Sequence, residues 1–112
     1  MNKKENKRYV TKVVGVTFDN RQEHIRSINP LTDTLLAKRE PTNPYDKNAI
    51  HIKILKPNQE EISCGYIDRN LAKEIAPELD AGNVLLIENF LILGNLNKKE
   101  DSIVGVQIEF II

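Results

Sequence analysis

The chain has 112 residues, 40% apolar and 29% charged, with 16 basic and 16 acidic side chains that cancel. That length suits one domain with a single core, no apolar run nears the ~20 residues of a membrane span, and the single cysteine excludes an intrachain disulfide or a cysteine-based zinc cluster. The cancellation hides a division: residues 1–60 carry 12 basic against 7 acidic groups and residues 61–112 carry 4 against 9, so a polyanion would meet a basic face built by the first half.

Residues 1–8, MNKKENKR, read as a disordered basic tail ahead of a domain over residues 9–112. The tail lacks the apolar stretch of a signal peptide, which predicts a cytoplasmic protein. Residues 9–18, YVTKVVGVTF, form a long strand bent at Gly15. DNRQ (residues 19–22) turns the chain and INPLTD (28–33) is a second loop. TLLAKR (34–39) is a short strand. In AIHIKIL (49–55), Ile50, Ile52 and Ile54 alternate with His51 and Lys53, the period of a strand with one buried face. KPNQE (56–60) is a hairpin turn, and residues 61–67 return as its partner. Cys64 lies in that strand, where a buried and inert thiol is expected.

Asp68 caps a helix whose apolar face is Leu71, Ala72, Ile75 and Leu79. Pro77 is expected to break or restart it at Ala76, because proline lacks the amide donor and clashes with the preceding turn. Residues 84–93 and 103–112 read as strands around a polar loop, GNLNKKED (94–101). Short strands punctuated by turns predict a mainly β fold: a small six-stranded OB-like or SH3-like barrel with one or two short helices.

The common catalytic constellations are missing from the sequence. It has no Gly-rich phosphate loop, no HExxH and no Cys/His ligand spacing. His24 and His51 are unaccompanied and read as solvent-facing. Asp33, Glu40, Asp46 and Asp68 do not fit the carboxylate spacing of a two-metal nuclease. No cofactor or metal is expected.

The stretch REPTNPYDKNAI (residues 39–50) is different. Turn chemistry accounts for Pro41, Asn43 and Pro44. It does not account for Tyr45 and Asp46 standing between Arg39 and Lys47. Together with VVGVTFDNRQ (13–22) and GYIDRNLAKEIAPELDAG (65–82), this stretch resembles the HIRAN domain, over nearly the whole chain. Members occur at the N-terminus of eukaryotic DNA-repair translocases and as stand-alone bacterial and phage domains. The resemblance implies an OB-like or SH3-like barrel that binds single-stranded DNA, in some members at a free 3′ end, and acts in DNA repair or fork processing beside a helicase or nuclease.

Carried onto this sequence, the resemblance makes Tyr45 and Phe18 stacking aromatics and Asp46 the acceptor for a terminal 3′-hydroxyl. It makes Asn43 a polar contact to base or backbone and Arg69 a phosphate contact, with Arg39 and Lys47 as counter-charges. Tyr66 stands where some members have histidine. Two positions depart from the pattern: Thr17 replaces an arginine, and an aliphatic residue, Leu93, stands near an aromatic position. Arg21, Lys38, Arg39 and Lys47 are nearby cations that offset the loss.

Plainer readings stand beside these. Tyr45 is then a half-buried turn residue, Asp46 and Asn43 shape the turn through side-chain acceptors, Phe18 is core, and Arg39 and Lys47 are a solvated face. At the level of function the alternatives are a protein-interaction adaptor or inhibitor using a barrel edge strand, and a hydrolase or nuclease.

Overall fold

Six strands and two helices follow one another in a computed structural model of the chain, whose described residues are 5–94 and 102–112. They are β1 (Arg8–Lys12), α1 (Arg21–Arg26), β2 (Thr34–Arg39), β3 (Ile50–Leu55), β4 (Glu61–Tyr66), α2 (Arg69–Asp80), β5 (Leu86–Leu93) and β6 (Gly105–Ile111). Two antiparallel sheets result, ordered β2-β3-β4 and β1-β6-β5. This is the mainly β, OB-like architecture that the strand spacing predicts.

The isoleucines of β3 are fully buried, as are Val106, Ile108 and Phe110 of β6. These two alternating strands supply the inner faces of the sheets. Ile25 of α1 and Ala72, Ile75 and Ala76 of α2 complete the core. Tyr9 stacks on Phe110 with ring centroids 5.0 Å apart, and its hydroxyl donates to Glu74 Oε2 at 3.0 Å, tying β1 to α2.

The sheets meet at a corner. Beyond β1, Val14 exchanges both backbone hydrogen bonds with Tyr66 at the end of β4, at 2.8 and 2.9 Å. Gly65 makes this crossing possible: a Cβ there would lie 2.4 Å from the Val14 carbonyl oxygen and 2.6 Å from Val13 Cγ1. A bulge in the β3/β4 ladder, between Ile52 and Lys53, falls next to the Ile52–Gly65 pair. On the other side β2 packs beside β5.

Several elements differ from expectation. The first strand stops at Lys12 because Gly15, at φ +72°, turns the chain away after the Val14 bridge. The turn expected at 19–22 leads into α1, a six-residue helix whose one buried side chain, Ile25, gives too little periodicity to read from sequence. Residues 84 and 85 precede β5, and 103 and 104 precede β6. The helix runs through Pro77 without breaking. Proline deprives only one carbonyl, that of Lys73, of its donor, and both residues sit on the exposed side of α2 where water serves instead. Asp68 caps α2 as expected, accepting from the amides of Asn70 and Leu71 at 3.0 and 3.4 Å.

Of the tail, Lys7 exchanges backbone hydrogen bonds with Ile112 and Arg8 opens β1; residues 1–4 lie outside the described residues, as does most of the polar loop, 95–101. No helix among the described residues is long and apolar enough to cross a membrane.

Candidate nucleic-acid interface

The segment between β2 and β3 is a loop built by its own side chains. Asn43 Oδ1 accepts the amides of Tyr45 and Asp46 at 2.9 and 3.1 Å. Asp46 Oδ1 accepts the Asn48 amide at 2.9 Å. These Asx turns are the plain roles that the sequence offers for both residues. They use one oxygen of Asp46 and leave Oδ2 facing the start of α2, 3.7 Å from Arg69 Nε. Arg69 Nη2 also donates to the Tyr45 carbonyl oxygen. The first residue of α2 thus holds the tip of the loop.

With its backbone fixed in this way, the Tyr45 ring is 85% exposed, and Phe18, beyond the Gly15 turn, is 65% exposed. Phe18 is therefore not core. Both rings line one groove of about 800 Å³, with Val14, Arg21, Asn43, Asp46, Tyr66 and Arg69 among its other walls. The groove opens at the corner where β1 crosses onto β4. Its position follows from the two features that sequence reading already marked, the Gly15 bend and the NPYD turn.

Of the eight residues expected at the site, the structure brings six to this groove: Phe18, Asn43, Tyr45, Asp46, Tyr66 and Arg69. Arg39 and Lys47 do not line it. Arg39 turns to the far end of α2, where its fork meets Asp80 Oδ1 and Oδ2 at 3.0 and 3.1 Å. Its Nη1 donates to the carbonyl oxygens of Lys47 and Ala49 at 2.7 and 3.3 Å, closing the base of the loop. Lys47 is exposed.

Beneath the groove lies a polar network that the sequence did not signal. Glu40 Oε1 accepts from the Tyr66 hydroxyl at 2.8 Å and from Asn43 Nδ2 at 3.0 Å. Glu40 Oε2 meets His51 Nδ1 at 2.8 Å, and His51 Nε2 meets Ser63 Oγ at 2.6 Å. Arg21 Nε donates to the same Ser63 oxygen at 3.0 Å. The His51 and Tyr66 rings stack with centroids 4.4 Å apart, and the Arg21 guanidinium lies over the Tyr66 ring at 5.3 Å.

Both histidines correct the expectation of solvent exposure. His51 is buried although it points off the core face of β3, because Tyr66 and Glu40 cover it. His24 is half-buried, with Nδ1 2.7 Å from the Ser63 carbonyl oxygen.

Protonation states follow from these contacts. Burial lowers the His51 pKa, outweighing the nearby Glu40 carboxylate. The neutral ring then donates from Nδ1 to Glu40 and accepts the Ser63 hydroxyl at Nε2. Burial raises Glu40, but the hydrogen bonds from Asn43, Tyr66 and His51 together hold it below its ordinary value. Burial, with the bond to Glu40, pushes Tyr66 up to about 12, so its hydroxyl stays a donor. Cys64 is likewise pushed up to about 12 by burial, the inert thiol expected.

Glu40, His51 and Ser63 have the spacing of an orienter, a base and a nucleophile. None of the three lines the groove, and the Ser63 oxygen already accepts from Arg21. The relay positions Tyr66 and Asn43. Among the described residues no group of His, Cys, Asp and Glu side chains is placed to hold a metal ion.

The model of one family, the HIRAN domain, matches residues 5–107. No match is found among curated proteins. Among solved structures, the chain is similar to a protein from Lactobacillus plantarum, with a TM-score of 0.57 at 21% identity, over 94% of this chain and 98% of that one. It is also similar to the HIRAN domain of human HLTF, with a TM-score of 0.48 at 23% identity, over 93% of this chain and 74% of that one. The family match spans almost the whole length, including the NPYD loop and both walls of the groove, and the chain belongs to the HIRAN domain family.

Proposed function

We propose that the chain is a non-catalytic module that seats single-stranded DNA in the groove between Phe18 and Tyr45 and reads a free 3′-hydroxyl with Asp46. The observation that carries this reading is the pairing of two exposed aromatic rings with a carboxylate and two guanidinium groups around one opening. Exposed rings are unfavourable unless something covers them, and bases stack on aromatic faces without regard to sequence. The carboxylate accepts a hydrogen bond from a hydroxyl and repels a phosphate, so it separates a chain end from a continuing chain. Membership of a DNA-binding family supports the same assignment. A role in DNA repair or fork processing beside a helicase or nuclease, in the cytoplasm, is consistent with a small module that supplies binding alone.

A fluorescence-anisotropy titration with labelled oligothymidine tests it. Binding that weakens steadily with salt is expected, because phosphates shed counterions as they are neutralised. No binding at low salt contradicts the reading, and Mg²⁺-dependent release of the label contradicts its non-catalytic half. Strand addition at a sheet edge is not favoured beside the groove, where Val14 already pairs with Tyr66 at the end of β4.

A further inference from the structure

Arg21 is the cation of the groove that the family pattern does not assign. It enters from the first residue of α1, lines the groove together with Arg69, and its side chain is 12% exposed. Its contacts are few. Nε donates to Ser63 Oγ at 3.0 Å and Nη1 to the Gly15 carbonyl oxygen at 2.8 Å. The remaining partner is Asp19, whose Oδ2 is 3.9 Å from Nη2 and whose side chain is 84% exposed.

Two neutral acceptors fix the guanidinium plane, and among the described residues the carboxylate paired with it is that of Asp19, solvated and at the outer limit of ion-pair distance. Such a pair is weak. Arg69, by contrast, already serves the Tyr45 carbonyl and the Asp46 carboxylate. A guanidinium braced at Nε and Nη1 by neutral partners, in the lining of a groove, keeps Nη2 for an anion bound there.

We propose that Arg21 is a phosphate-binding residue of this groove, taking a backbone phosphodiester of the single strand on its Nη2 edge. The inference rests on the proposed binding of single-stranded DNA. The guanidinium's place over the Tyr66 ring, at 5.3 Å, keeps the charge beside the stacking surface. The phosphate then displaces Asp19, which moves freely into solvent.

The slope of log affinity against log salt isolates this role, because each neutralised phosphate on a single strand contributes about 0.7 to that slope. In oligothymidine titrations the slope of Arg21→Gln is expected to be shallower by about 0.7 than that of the parent, with affinity at low salt reduced about tenfold. Ser63→Ala, which removes a brace and no charge, is expected to keep the parent slope. If Arg21→Gln keeps the parent slope, Arg21 is a brace alone and the proposal is overturned. Asp19→Asn provides a variant on an exposed side chain should Arg21→Gln fail to fold: it is expected to tighten binding severalfold, and unchanged affinity overturns the proposal. Failure of the parent to bind at any salt overturns the reading of the groove itself, a different outcome from an unchanged slope.

Discussion

The Asp46 carboxylate faces the Arg69 guanidinium at 3.7 Å, and the same guanidinium holds the carbonyl of Tyr45, the residue before it. One cation thereby fixes both the acid and the aromatic ring of the loop against the first turn of α2. The side chain of Arg69 is 71% exposed, so the pair contributes only about 0–1 kcal/mol to stability. Its consequence is positional. Asp46→Asn keeps the acceptor for the Asn48 amide and removes the charge. Thermal denaturation is expected to change little, while any discrimination between hydroxyl and phosphate ends is lost.

Tyr45→Ala separates binding from folding. The ring is 85% exposed and the loop is held by the Asn43 and Asp46 side chains, so stability should move by no more than about 0.5 kcal/mol. Oligonucleotide affinity is expected to fall by ~1–3 kcal/mol, the usual worth of one stacked base. Phe18→Ala should do the same, and titration of both variants beside a denaturant melt checks the pair.

Arg39→Ala is expected to show the opposite pattern. Arg39 braces the loop base through Lys47 and Ala49 and reaches Asp80 at the end of α2. Its loss leaves the Lys47 carbonyl and the Asp80 carboxylate to water, while the Ala49 carbonyl keeps the Glu40 amide, a cost of about 0.5–1.5 kcal/mol. The salt dependence of oligonucleotide binding should stay that of the parent. Urea unfolding alongside salt-dependent titration distinguishes the two effects.

Much of this arrangement was legible in the sequence. The hairpin of β3 and β4, the Asp68 cap and the bounds of β2 follow from local rules of alternation, capping and turn chemistry. The NPYD turn announced a loop with more polar and aromatic side chains than a turn uses. Its neighbours were not legible. Glu40 and His51 are eleven residues apart, and Ser63 is twelve beyond His51; the β2/β3 register brings Glu40 to His51 and the β3/β4 register brings Ser63. Alternation placed His51 on the face away from the core, which is correct, but a period cannot say that Tyr66 will stack over that face. Arg39 stands beside the motif in sequence and points away from it because Asp80, 41 residues later, attracts its fork.

Acid should weaken the fold through the same network. His51 titrates below its ordinary value of 6.5 in the folded chain because burial disfavours the charged ring. The unfolded chain therefore binds the proton first, and stability falls as pH drops below about 6.5 toward the folded value. Glu40 is also held below its ordinary 4.5, despite burial, by its three hydrogen bonds, which extends the loss to lower pH. A urea midpoint that declines between pH 7 and pH 5 in the parent, and less in His51→Gln, is the expected result.

Gly65→Ala tests the corner on which the groove depends. The new methyl meets the Val14 carbonyl oxygen at 2.4 Å, and this is backbone that cannot move without breaking the Val14–Tyr66 bridge. A loss of about 3 kcal/mol or more is expected in denaturant unfolding. A variant as stable as the parent contradicts the crossing as described.

Asp46, on the proposed function, reads the end of a single strand held between Phe18 and Tyr45. Fluorescence anisotropy with two oligothymidines of one sequence, one ending in a 3′-hydroxyl and one in a 3′-phosphate, tests it most directly. The parent chain is expected to bind the hydroxyl end more tightly, and Asp46→Asn to bind both ends equally. Equal binding of both ends by the parent contradicts it.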